Sequence, residues 1–306
     1  MSRRRTARRV LAAAAVLAAA GLAWAWLSDP VPRGRDAARP WTEDWRPVRP
    51  GLDYTGAVLT EPRPLRLHAV RADLMTPGVE VVASPPRPAA GRETTSERVS
   101  AFLRRHGCAV AINASLFEPV RRVLAGPADV VGLAVFEGRT WSPAVSNLHA
   151  VTFDRENRAA LALPHAGMTN AWMGAGGLLA VLVDGRNTGE NGTPEPRSLV
   201  GGSADGRFLY FVAVDGRQPG FSEGATPAEA AEFLRRLGAH WALNLDGGGS
   251  TTLALARRGW GARVVNRPAD HLFGLLQRPV ATSLGVRFRD RASRPPPAPP
   301  RGEIKP

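Results

Sequence analysis

The sequence predicts an α+β fold, with mixed β-sheets, a few packed helices and an internal helix–strand duplication in a single domain over residues 53–288. Three observations support this. Short apolar runs rich in β-branched residues, separated by Gly, Pro and Asp-Gly punctuation, fill most of that stretch. Two segments carry helix start and stop signals. Those two segments also repeat each other, each leading through a glycine into an apolar strand.

The chain opens with Arg3, Arg4, Arg5, Arg8 and Arg9, followed by an uncharged run from Val10 to Leu27. Residues 1–27 therefore have the form of a secretory signal or of a single membrane anchor with its basic end inside. Ala23-Trp24-Ala25 offers a small-x-small cleavage site, whereas Trp24 and Trp26 suit the interface end of an anchor. Both readings place the body outside the cytoplasm, either secreted or tethered to the membrane. Residues 28–52 mix Pro, Arg and Trp without a period and read as a linker.

Within the body, strands are expected at Leu65–Arg71, Val79–Ala83, Ala109–Asn113, Gly132–Phe136, Ala180–Val183, Phe208–Val214, Trp241–Leu245 and Thr282–Phe288. Thr94-Thr95-Ser96-Glu97 has the spacing of a capping box and predicts a helix over about 95–106, ending at Gly107. Thr226-Pro227-Ala228-Glu229 has the same spacing, with Pro in the first turn and Gly238 after the last, and predicts a helix over 227–237. The duplication lies here. Phe102–Asn113 and Phe233–Asn244 are offset by 131 residues and share seven of twelve positions. Each copy ends in an asparagine at the end of a strand, where proteins of mixed class tend to place ligands. Pro196 to Gly201 sit among turn residues ahead of the 208–214 strand. Residues 289–306 are Pro- and Arg-rich and read as a disordered tail.

Charge and cysteine content narrow the function. The net charge is +13, but the first 50 and last 20 residues carry +10 of it. The body is nearly balanced, so no nucleic-acid partner is expected. Cys108 is the only cysteine, which excludes an internal disulfide and any Cys-based metal cage. The histidines show no metal-ligand spacing, and no metal or other cofactor is predicted, although the carboxylates are compatible with calcium.

The chemistry concentrates in Asn244-Leu245-Asp246-Gly247-Gly248-Gly249-Ser250-Thr251-Thr252. Three successive glycines after an apolar strand leave backbone N–H groups able to face an anion. Asp246 is a carboxylate at the strand end, and Ser250, Thr251 and Thr252 supply hydroxyls. No Gly-Lys-Ser/Thr follows and no Gly-x-Ser-x-Gly is present, so this is neither a Walker loop nor a nucleophile elbow. Arg197, Asp215 and Asn113 are further candidates. Of the four acid-Gly-Arg turns, at Glu137, Asp184, Asp205 and Asp215, three read as hairpin turns and Asp215 is set apart by its neighbours. Trp172, Trp241 and Trp260 are candidates for stacking on sugars.

Asn113, Arg197-Ser198-x-x-Gly201, Val214-Asp215-Gly216-Arg217, Gly224-Ala225-Thr226, Leu237-Gly238, the 244–252 segment and Arg278-Pro279-Val280 together resemble the phosphodiester glycosidase family over roughly residues 105–288. Two departures stand out: Asn113 is followed by Ala114-Ser115-Leu116-Phe117, and Ser198 stands where Thr is usual. The resemblance implies hydrolysis of a glycosyl-1-phosphodiester in the cell envelope or an extracellular polysaccharide, with a phosphodiester-containing glycan as partner. Asp246, Asp215, Arg197 and Asn113 would be its catalytic residues. Asn244, Gly247, Gly248, Gly249, Ser250, Thr251 and Thr252 would hold substrate and phosphate. A glycan-binding or exopolysaccharide-assembly protein, and a glycosyl transferase, are the alternatives on the same scaffold.

Overall fold

A computed structural model describes residues 44–162, 170–257, 261–270 and 276–289. The expected leader or anchor (1–27), the linker as far as 43, the tail from 290 and Trp260 lie outside the described residues. Among the described residues no helix is long and apolar enough to cross a membrane.

The body is mostly β, with two α-helices among the described residues: α1 (Val99–Arg105) and α2 (Pro227–Arg236). An eight-stranded sheet runs, in spatial order, through Arg46–Arg49, Leu52–Leu59, Leu65–Asp73, Phe208–Val214, Arg197–Gly202, Trp241–Asn244, Ala180–Val183 and Arg186–Asn187. A first five-stranded sheet runs through Ala262–Val264, Leu253–Ala256, Cys108–Asn113, Ser283–Phe288 and Val79–Ala83. A second is built from Arg139–Ser142, Ala134–Phe136, Met173–Gly176, Ala150–Phe153 and Ala159–Ala162.

Side-chain alternation sets the layers. In Phe208–Val214, Leu209, Phe211 and Ala213 face a core shared with Val81, Val110, Ile112, Leu253 and Leu284 of the first five-stranded sheet. Tyr210, Val212 and Val214 point the other way, against Ala230, Ala231 and Leu234 of α2. A strand buried on both faces reads as a continuous apolar run, as this one does. On the far side, α1 packs Val99, Phe102 and Leu103 against Cys108, Ala111 and Ala254. The two repeated segments thus take the same local form. Each is a helix, a glycine at positive φ (63° at Gly107, 97° at Gly238), a buried strand and a terminal asparagine. Each helix covers the outer face of the sheet that holds its own strand.

Four expectations are corrected. The sheets are not mixed, because the strand pairs among the described residues run antiparallel. A parallel pair needs a long crossover, whereas many consecutive strands here are joined as hairpins. The first helix begins at Val99, not 95. Thr94 and Thr95 pair as a short strand with Pro127–Val131, and Ser96 N–H and Glu97 N–H donate to Gly126 O and Val280 O. Those tertiary partners occupy the groups a capping box would use, and the N-cap is Arg98, without a side-chain bond. The linker ends before residue 52, because Arg46–Arg49 pairs with Leu52–Leu59. Arg197–Gly202 is not a turn but an inner strand between Phe208–Val214 and Trp241–Asn244.

By contrast α2 forms as expected. Thr226 Oγ1 accepts from Glu229 N–H and the Glu229 carboxylate accepts from Thr226 N–H, with Pro227 in the first turn. The Glu137, Asp184 and Asp205 turns close hairpins as expected, with Glu137 and Asp184 at φ near 50°.

Candidate active site

The two repeated strands end against each other, and the candidate residues gather at that seam. Asn113 closes Cys108–Asn113 and is fully buried. Its Nδ2 donates to Asp246 O, and its Oδ1 accepts from Ser198 Oγ at 2.7 Å and from Thr252 N–H at 3.0 Å. The backbone completes the weld: Asp246 N–H donates to Ala114 O, Asn113 N–H to Thr252 O and Leu245 N–H to Ser198 O. One amide side chain therefore ties together the Asn113 strand, the Arg197 strand and both ends of the glycine-rich segment.

Asp246 follows directly from this seam. Its carboxyl lies in a half-buried position beside Ser250 and the Arg278 guanidinium. Burial is the largest influence and pushes its pKa up to about 6, against hydrogen bonds from Ser250 and Gly247 N–H and the attraction of Arg278, with Asp270 adding to the rise. Arg278 is itself held. Its Nε donates to Asp270 Oδ2 at 2.7 Å, its second nitrogen bonds the same carboxylate oxygen, and Nη1 donates to Ser250 Oγ at 3.1 Å. Asp246, Ser250, Arg278 and Asp270 form one chain of charged and hydrogen-bonded groups.

The glycines are shaped by their surroundings. A Cβ on Gly249 would lie 2.0 Å from Asp270 Cγ, and one on Gly247 2.6 Å from Pro196 O. Gly248 sits at φ 57° beside the Arg217 guanidinium. The expectation that all three amides face one anion is corrected. Gly248 N–H donates to Pro196 O, and Gly247 N–H is turned to the Asp246 carboxyl. The segment folds as a 3-10 turn over Gly248–Ser250, which spends these donors on its own frame. Thr251 Oγ1, Thr252 Oγ1 and Asn244 Oδ1 are buried without a hydrogen-bond partner.

Arg197 begins its strand half-buried, and burial lowers its pKa from the usual guanidinium value without removing its charge. Nε donates to Ala225 O at 2.9 Å and a terminal nitrogen to Thr193 O at 3.1 Å. Its hydrogen-bond partners are carbonyls, while Glu195, bonded to Arg217, attracts it from nearby.

Asp215 is 1% exposed. Its Oδ1 accepts from Arg267 N–H at 2.7 Å and Asn266 Nδ2 at 3.2 Å, while Oδ2 faces His68 Nε2 at 3.4 Å. Asn266 in turn accepts from Leu253 N–H and donates to Thr251 O, so Asp215 braces the segment that follows the glycines. Behind it, Tyr54 Oη lies 2.8 Å from His68 Nδ1.

Asp270, Asn266 and His68 do not stand out in the sequence, and Arg217 and Arg278 do so only as parts of a motif. These residues carry no local pattern and meet the glycine segment only through folding. Trp172 lies against the Arg155 guanidinium at 3.8 Å and lines a cavity of about 780 Å³ with Asp154, Glu156 and Arg158, among residues distinct from those above. Trp241 packs on Gly202. Among the described residues no three His, Cys, Asp or Glu side chains gather to hold a metal ion.

The profile of the phosphodiester glycosidase family matches residues 106–287. No curated protein matches the sequence. Among solved structures, the catalytic domain of zebrafish N-acetylglucosamine-1-phosphodiester alpha-N-acetylglucosaminidase, auto-inhibited by its pro-peptide, superposes with a TM-score of 0.59 at 18% identity, over 83% of this chain and 87% of that one. A hypothetical protein from Synechocystis matches with a TM-score of 0.57 at 17% identity, over 78% of this chain, which spans 62% of that protein's length. A Burkholderia pseudomallei protein described as exported matches with a TM-score of 0.53 at 15% identity, over 75% of each chain. At these identities the structures show a shared fold.

Proposed function

The chain belongs to the phosphodiester glycosidase family, and from that premise we propose that it hydrolyses a glycosyl-1-phosphodiester in the cell envelope or an extracellular polysaccharide. The observation that carries the reading is the Asp246 carboxyl, lifted by burial to about 6 beside Ser250 and Arg278. A carboxylate of that pKa is a stronger base than an ordinary one and is still ionised at neutral pH.

In the proposed reaction water attacks the anomeric carbon and passes its proton to Asp246. The bond from that carbon to the phosphate oxygen breaks, and its electron pair leaves with the phosphate. Free sugar and a phosphomonoester result. The leaving group is already a good one, so the site's task is to stabilise charge growing on phosphate rather than to protonate it. We assign that task to Arg197, whose partners are neutral carbonyls, in preference to Arg278, whose charge is matched by Asp270. The hydroxyls of Thr251 and Thr252 and the Asn244 amide oxygen, buried without partners, are assigned to substrate hydroxyls. In this scheme Asn113 positions the catalytic groups without touching the substrate, since the protein fills its hydrogen-bonding faces, and Asp215 acts through Asn266 and the Arg267 N–H, which its Oδ1 holds.

The test is sugar release by the full chain from a panel of glycosyl-1-phosphodiesters that includes N-acetylglucosamine-α-1-phosphomethyl. The expected result is release by wild type and its loss in Asp246→Asn. Absence of release from folded protein, or undiminished release by the variant, would overturn the proposal.

A further inference from the structure

The chain leaving the seam does so through a loop that has no core to pack on. Asn113 ends one strand, Leu116–Glu118 makes a short one, and residues 118–125 are then exposed without interruption. Among the described residues five large hydrophobic side chains are exposed, and three of them fall within this loop: Val120 at 51%, Val123 at 48% and Leu124 at 75%. Scattered exposed apolar groups are ordinary, but three within five residues form a patch that calls for a partner. Between them stand Arg121 and Arg122, both exposed, and Glu118 at the base is the only acid from 118 to 126. Arg121 folds its stem over Gly126, where a Cβ would come 2.8 Å from Nε, so the loop returns on itself.

We propose that residues Val120–Leu124 dock on an anionic lipid surface, the apolar side chains entering the headgroup boundary and the arginines meeting lipid phosphates. Interleaved arginines and aliphatic side chains on an exposed segment match the two layers of such a surface, charged above and apolar below. The proposal does not depend on the activity assigned above, and the experiment reads no activity.

A single reporter cysteine tests it in the full chain. The native Cys108 is buried, and burial pushes its thiol up to about 12, so it remains unreactive near neutral pH. An environment-sensitive fluorophore is attached at Leu124→Cys and, as a control, at Ala204→Cys, an exposed turn at the far end of the Arg197–Gly202 strand from Arg197. Each protein is mixed with vesicles of phosphatidylcholine alone or with about a third phosphatidylglycerol, with and without a quencher on the lipid chains. The expected result is a blue shift and chain quenching at position 124 on anionic vesicles, no change at 204, and loss of the anionic preference in Arg121→Gln/Arg122→Gln. An unshifted label at 124, or equal shifts at 124 and 204, would overturn the proposal. So would self-association of the protein that buries the 124 label without lipid, which would make a second copy the occupant.

Discussion

Burial and charge oppose each other at Asp246. Burial favours the protonated carboxyl, while Arg278, Ser250 and Gly247 N–H favour the carboxylate, and burial prevails to give a pKa near 6. If the ionised form is the base, kcat/KM should rise through about pH 6 and level off above it, read in a pH–rate profile. A flat profile from pH 5 to 8 would exclude Asp246 as that base. The same shift has a signature in stability. In the unfolded chain Asp246 ionises near its ordinary value of 3.8, so between about pH 4 and 6 the folded state binds more protons. Stability therefore falls as pH rises through that window, and the cost persists at neutral pH. Asp246→Asn should remove it. The variant is expected to lose roughly 10²–10⁴-fold in activity while gaining up to about 3 kcal/mol in stability at pH 7 by denaturant titration. Asn113→Ala should behave in the opposite way. It leaves Ser198 Oγ, Thr252 N–H and Asp246 O without their buried partner, at a cost of about 2–4 kcal/mol. A change under half a kcal/mol in the same titration would show that the amide is not the weld described.

At the scale of elements, sequence legibility followed how local the determining interactions are. The α2 helix carries its own start signal in Thr226, Pro227 and Glu229, and it forms where those residues predict. Thr94–Glu97 offers the same letters, but Gly126, Pro127 and Val280 claim its backbone, and the helix starts four residues later than expected. The Arg197 strand was hidden because a buried strand opening on Arg-Ser and closing on Gly-Gly looks like a turn. Only its two neighbours, Phe208–Val214 and Trp241–Asn244, make it a strand. The glycine segment was legible as a site, and its folded form assigns the glycines a different task. Gly249 makes room for the Asp270–Arg278 pair more than it offers an amide. Gly249→Ala should therefore displace the Asp270–Arg278 pair, break the bond from Arg278 to Ser250 and lower kcat/KM by roughly tenfold or more. Gly192→Ala, whose new Cβ would meet nothing nearer than 3.9 Å, should leave both activity and melting temperature unchanged. Equal kinetics for the two variants would remove the packing role assigned to Gly249.

At the scale of the whole molecule, the family match begins at residue 106, yet the layers that hold the site begin sixty residues earlier. Leu52–Leu59 pairs with Leu65–Asp73 along its whole length, and Leu52 and Tyr54 enter the core between the sheets. Leu65–Asp73 in turn pairs with Phe208–Val214, whose last residue precedes Asp215. Tyr54 and His68 stand directly behind that carboxylate. The N-terminal strands are thus the outer wall of the site's own sheet. A chain beginning at residue 61 keeps every motif in the matched region but loses that wall. It exposes the edge of Leu65–Asp73 and the core faces that Leu52, Tyr54 and Ala57 cover. Burial of such side chains is worth about 1.5–3 kcal/mol each, so their joint loss approaches the 5–15 kcal/mol typical of a domain's net stability. The truncated chain should be insoluble or melt at least about 10 °C below a chain beginning at residue 44. Equal melting temperatures, measured side by side, would mean that Arg46–Arg49 and Leu52–Leu59 add no stability to the sheet and that Tyr54 has no part in holding Asp215 through His68.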